Sequence, residues 1–87
     1  MSLRAELQQE MVRLADGESE PNDLWMWLGG VVQALHDDPD RKADEVSMQA
    51  WILLSEYWEH LRSLDDLRRG MGLFAAELSK VKAPVPD

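Results

Sequence analysis

Residues 39–61 read PDRKADEVSMQAWILLSEYWEHL, and this stretch decides the fold. Its apolar residues do not alternate, so it is not a half-buried strand. Ala43, Val46, Ala50, Leu54, Tyr57 and Leu61 recur at helical spacing, with Leu53 beside them. Glu45, Gln49, Glu56 and His60 supply a wet face. Asp38 suits the cap position, and Pro39 suits the first helical position, where the amide hydrogen would be unpaired anyway. The pattern predicts a helix over 39–60.

That helix carries more apolar surface than one face can hide. Met48, Trp51, Ile52 and Trp58 lie off its main stripe. Trp51 and Trp58 are seven apart and nearly in register, and Met48 and Ile52 are one turn apart. A helix apolar over most of its circumference is either central in its bundle or covered by a partner. These four residues, with Met26 on the preceding helix, are the candidate partner-binding residues.

Working outward, the same periodicity predicts three more helices. Over 3–16, Ser2 caps a stripe of Leu3, Leu7, Met11 and Leu14, and Gly17 ends it. Over 23–37, with Asn22 or Asp23 as cap, Leu24, Trp27, Leu28, Val31, Ala34 and Leu35 share one side. Trp25 and Val32 widen that side on one flank, and Met26 points away from it. Gly29-Gly30 costs this helix roughly 0.8–1 kcal/mol per glycine relative to alanine. Such a cost predicts close approach of another backbone. Over 64–80, Leu64, Leu67, Met71, Phe74 and Leu78 make a heptad-like seam that continues to Val81. Ser63 and Asp66 form its capping box, and Gly70 and Gly72 weaken it.

Short connections between consecutive helices favour antiparallel neighbours. The expected fold class is therefore all-α: a compact bundle of three to four antiparallel helices around a tryptophan-rich core. Residues 1–82 make one domain, and 83–87 form a Pro-containing tail that cannot continue a helix.

Composition narrows the function. The chain has 87 residues, four tryptophans and no cysteine, with seventeen acidic against nine basic residues and a net charge of −8. The absence of cysteine excludes disulfides and thiolate metal sites and fits a reducing, cytoplasmic setting. Scattered basic residues in an acidic chain disfavour direct nucleic-acid binding, which needs clustered Lys and Arg. No apolar run approaches the ~18 residues of a membrane span, and no secretory leader pattern opens the chain.

Catalytic and metal chemistry find little purchase. Glu56 and His60 are one turn apart, but no nucleophile is placed to join them. His36, Asp37, Asp38 and Asp40 lack the glycine and distal glutamate of a calcium loop, and zinc needs more His or Cys. No cofactor motif is present. The expectation is a non-enzymatic protein-interaction module with a protein partner, a homodimer being one form. A rival is an acidic inhibitor, or immunity- or antitoxin-like protein, masking a basic site through Glu18, Glu20, Asp23, Asp37, Asp38 and Asp40. A second rival is a small-ligand carrier with a Trp-lined pocket.

Overall fold

The computed structural model describes residues 2–80 and contains four helices: α1 (Leu3–Ala15), α2 (Pro21–Asp37), α3 (Arg41–Trp58) and α4 (Leu64–Lys80). No strand occurs among the described residues. Val81 of the expected seam and the 83–87 tail lie outside them.

Local chemistry sets each boundary. The Ser2 hydroxyl accepts the Ala5 amide at 3.1 Å and opens α1. Gly17, with φ of 80°, turns the chain after it. The second helix starts earlier than the expected residue 23: Glu20 is the N-cap and Pro21 the first helical residue. Asp23 acts from within the first turn, accepting the Glu20 amide at 2.8 Å. The third helix starts later than the expected residue 39. Asp40 caps it through the Ala43 amide at 3.3 Å, whereas Asp38 closes α2 and Pro39 lies between the helices. It also ends at Trp58, because His60 adopts a left-handed φ of 63°. Leu61 therefore leaves the core stripe and is 66% exposed. Ser63 accepts the Asp66 amide at 3.1 Å and starts α4.

Side-chain pairings give the topology. Lys42 meets Glu77, and Gly70 lies against Leu53, so α3 and α4 run antiparallel. Arg4 meets Leu78, and Ala15 lies beside Gly72, so α1 and α4 are antiparallel too. His36 lies near Asp44 while Trp25 stacks on Trp51, which makes α2 antiparallel to α3. The most extensive packing is α1 on α4; α2 lies chiefly against α3.

The core is aliphatic and thioether. Leu7, Met11, Leu14, Leu24, Leu54, Leu67 and Met71 are fully buried, with Ala43, Val46 and Ala50 between them. The expected tryptophan-rich core is not what forms: Trp25, Trp27 and Trp51 are only partly buried against this cluster, and Trp58 is 41% exposed. Ala34, expected on the buried side of α2, is exposed.

The close backbone approach expected at Gly29-Gly30 does not occur; the tightest surroundings belong to a glycine of α4, and they are side-chain ones. A Cβ on Gly29 or Gly30 would meet nothing within 4 Å. A Cβ on Gly70 would fall 2.4 Å from Leu53 Cδ2, and one on Gly72 would fall 3.6 Å from the Ala15 Cβ. Gly70 thus makes room for the Leu53 side chain of α3, Gly72 could carry a methyl group in ordinary contact with Ala15, and the glycines of α2 face outward.

An ion pair ties three helix ends together. Arg4 donates to both Asp40 carboxylate oxygens at 3.0 and 2.9 Å and to the Leu78 carbonyl at 2.7 Å. Gln8 supports the same junction by donating to the Ala75 carbonyl at 3.3 Å and to the Ser79 hydroxyl.

Candidate protein-docking face

The α2/α3 packing leaves a cleft on its outer side. Helical projection explains why. Leu28 and Leu35, one face of α2, point at the core, and Val32 lies one turn from each, on the flank toward α3. On α3, Ala50 and Leu54 point inward, Trp51 points at α2, and Met48 and Ile52 point out. The buried side chains of Leu28, Leu35 and Ser47 form the floor. Trp51 and the exposed Val32, Met48 and Ile52 form the walls, with relative exposures of 56, 59 and 57% for the last three. The cleft holds about 200 Å³.

The lining is almost without polarity. Its one hydroxyl, Ser47 Oγ, donates to the Asp44 carbonyl at 2.7 Å and is satisfied within the chain. Three large apolar side chains around one cleft are more than the scattered exposed apolar residues normal for a small domain.

Trp51 packs on a second indole. Its ring stacks on Trp25 at a centroid distance of 3.7 Å and an interplanar angle of 22°. Trp58 meets Trp25 edge-on at 4.9 Å and 83°. The expected register of Trp51 and Trp58 thus brackets one α2 indole between two turns of α3. Such ring pairs contribute roughly 0.5–1.5 kcal/mol beyond area burial. They also divide the face: beyond Trp25, a shallow depression is lined by Asn22, Ser55, Trp58 and Glu59.

The structure therefore brings Met48, Trp51 and Ile52 together at one cleft and places Trp58 in the neighbouring depression. Met26, 67% exposed, projects from the opposite side of α2 and does not line the cleft. The sequence reading missed the α2 contribution of Leu28, Val32 and Leu35. The signal was present in Val32, which sits on the flank of the apolar arc one turn from both leucines.

The acidic candidates do not converge. Glu20 and Asp23 serve the start of α2. Asp37 accepts from Gln33 Nε2 at 3.2 and 3.1 Å, and Asp38 accepts the Asp40 amide at 2.8 Å. Glu18 borders a shallow depression on α1. Asp40 is not a surface acid at all: it is buried and engaged by Arg4.

The Glu56/His60 pair is likewise separated. Glu56 lies 3.6 Å from Arg62, and His60 has left the helix. No group of three or more His, Cys, Asp or Glu side chains capable of holding a metal ion occurs among the described residues. No helix among them is long and apolar enough to cross a membrane.

No protein-family model, no curated protein and no solved structure matches this chain.

Proposed function

We propose that this chain is a non-enzymatic protein-interaction module whose docking face is the α2/α3 cleft. The observation that carries the reading is the exposure of Val32, Met48 and Ile52 around Trp51, a stacked indole of the residue type enriched in binding hot spots. A protein partner would bury these side chains; each pair of buried methylenes contributes over ~1.5 kcal/mol. The cysteine-free composition fits action in the cytoplasm.

The two rival readings draw less support. A masking surface for a basic site needs concentrated unpaired acids, and Glu20, Asp23, Asp38 and Asp40 are engaged in helix ends or in the Arg4 pair. A carrier needs an enclosing pocket: the α2/α3 cleft of about 200 Å³ falls below the roughly 300–1,000 Å³ of small-molecule sites, and the larger depression beside Trp25 and Trp58, about 440 Å³, is a shallow surface feature that would leave a ligand open to solvent.

The test is comparative capture from extract of the native host, using the wild-type chain and Met48→Gln/Ile52→Gln. The expected result is a partner held by the wild type and lost by the variant, while the variant keeps its helical circular dichroism and a cooperative melt above the assay temperature. Identical recovery by both proteins refutes the assignment of the face.

A further inference from the structure

We infer that the occupant of the α2/α3 face is a second copy of this chain, docked antiparallel about a two-fold axis that passes the outer side of α3 at the height of Ala50; the inference rests on the reading of that face as a docking surface.

The exposed edge of α3 is self-complementary. At 100° per residue, Arg41, Met48, Ile52 and Glu59 fall within a narrow stripe. The stripe is basic at its N-terminal end, apolar in the middle and acidic at its C-terminal end. It is also symmetric in sequence: Arg41 and Glu59 lie nine positions either side of Ala50, and Met48 and Ile52 lie two positions either side. Antiparallel pairing of two such helices sets Arg41 against Glu59 of the second copy. It sets Met48 beside Ile52 of the second copy, twice by symmetry. This is an isologous contact, which closes as a dimer. Parallel pairing would put Arg41 against Arg41 and Glu59 against Glu59.

The end groups are available. Arg41 retains 65% side-chain exposure while donating to the His36 carbonyl and to Asp44, and a guanidinium has five N–H donors. Glu59 is exposed and makes no ion pair among the described residues. Glu45 and Glu56, which flank the stripe away from α2, lie 3.6 Å from Lys42 and Arg62, which limits repulsion there. Each copy carries −8, but repulsion between distant exposed charges is screened beyond about 8 Å at physiological ionic strength. The Arg41–Glu59 contacts act within that length.

Gly29 gains a role in the same arrangement. Trp25 opposes Trp51, and His36 lies near Asp44, so Gly29 lies between the heights of Met48 and Ala50, close to the axis. It is one turn from both Trp25 and Val32, on the outer rim of the cleft. Outside its own helical turn, nothing among the described residues comes within 4 Å of a Cβ there. An exposed mid-helix glycine is costly in the monomer, and its bare rim admits the second copy.

Sedimentation equilibrium up to millimolar concentration tests the pairing. The wild type is expected to form a dimer. Arg41→Glu and Glu59→Lys should each raise its dissociation constant about tenfold, since each disturbs two symmetric contacts. The combined Arg41→Glu/Glu59→Lys variant should restore it. Residues 41 and 59 lie about 27 Å apart along one helix, so rescue cannot arise within a chain. Gly29→Ala should melt higher as a dilute monomer yet dimerise less. Because Arg41→Glu also disturbs Asp44, Glu59→Lys with unchanged melting serves as the independent variant. A chain that stays monomeric throughout overturns the inference. In that case capture of a different protein, lost in Met48→Gln/Ile52→Gln, still upholds the docking face, and its absence removes both. A dimer indifferent to both charge reversals overturns the antiparallel geometry.

Discussion

Arg4→Met removes the guanidinium that joins α1, the start of α3 and the end of α4. The side chains of Arg4 and Asp40 are only 10 and 12% exposed, so the substitution leaves a largely desolvated carboxylate without its cation. Breaking a buried pair in this one-sided way costs roughly 3–5 kcal/mol. Residual water access and the Ala43 amide, which still serves Asp40, place the loss near the low end, at about 3 kcal/mol. The Leu78 carbonyl also loses its donor, a loss that overlaps with the first because both act on one junction. For a domain of this size, roughly 4–8 °C of Tm accompanies each kcal/mol. A fall of about 12–24 °C is expected, measured by circular dichroism at 222 nm and checked by urea unfolding. Asp40→Asn, which keeps an acceptor for both Arg4 and Ala43, should fall by less. A decrease under about 4 °C for Arg4→Met would refute the reasoning, because it would mean that the pair is solvated like an ordinary surface ion pair.

Gly30→Ala should raise stability by about 0.8–1 kcal/mol, as nothing in the chain obstructs a Cβ there. Gly70→Ala must turn aside the Leu53 Cδ2 methyl, the free end of a half-buried side chain, so it should give back part of the propensity gain and melt below Gly30→Ala. Met48→Gln/Ile52→Gln should shift unfolding by no more than about 2 kcal/mol, because each side chain already leaves over half its surface in water; a larger loss in a urea titration would mark these residues as structural. Lys42 has its pKa raised by the hydrogen bond to Glu77, against the opposing effect of desolvation. The folded chain therefore holds that proton more tightly than the unfolded one. The stabilisation is complete below the unfolded lysine value of about 10.4 and is lost as pH rises through the folded value. Lys42→Met should flatten the alkaline limb of a stability–pH curve, and an unchanged limb would count against the Glu77 contact.

Much of the bundle was legible because periodicity is a local property. The stripe of Leu7, Met11 and Leu14 and the seam of Leu67, Met71 and Leu78 are buried as their spacing requires. The start of α3 was not legible. Asp38-Pro39-Asp40 offers two caps, and the choice between them involves Arg4, thirty-six residues away, which engages the Asp40 carboxylate. The start of α2 was open to reading, since Pro21 fits the first helical position, yet Glu is not a favoured cap and Asp23 drew the boundary inward. The indoles misled for a reason of shape. Leu and Met fill the narrow space between four close helices, whereas Trp25, Trp51 and Trp58 find their best contacts with one another along the α2/α3 flank.

The placement of the indoles and the glycines bears on the same question. A domain whose only need was stability would keep Trp51 and its neighbours inside and would carry alanine at residues 29 and 30. Here Trp51 is fixed by Trp25 at the wall of an open cleft, and the outer turn of α2 is bare where a side chain would cost nothing. Both features sacrifice monomer stability on one face, while α1 and α4, on the other side of the bundle, make the most extensive packing and are tied by the Arg4 clamp. An asymmetry of this kind is expected when one side of a small bundle holds the fold and the other is completed by association. Restoring alanine at Gly29 separates the two roles, because the same methyl group should strengthen the isolated chain and weaken its assembly.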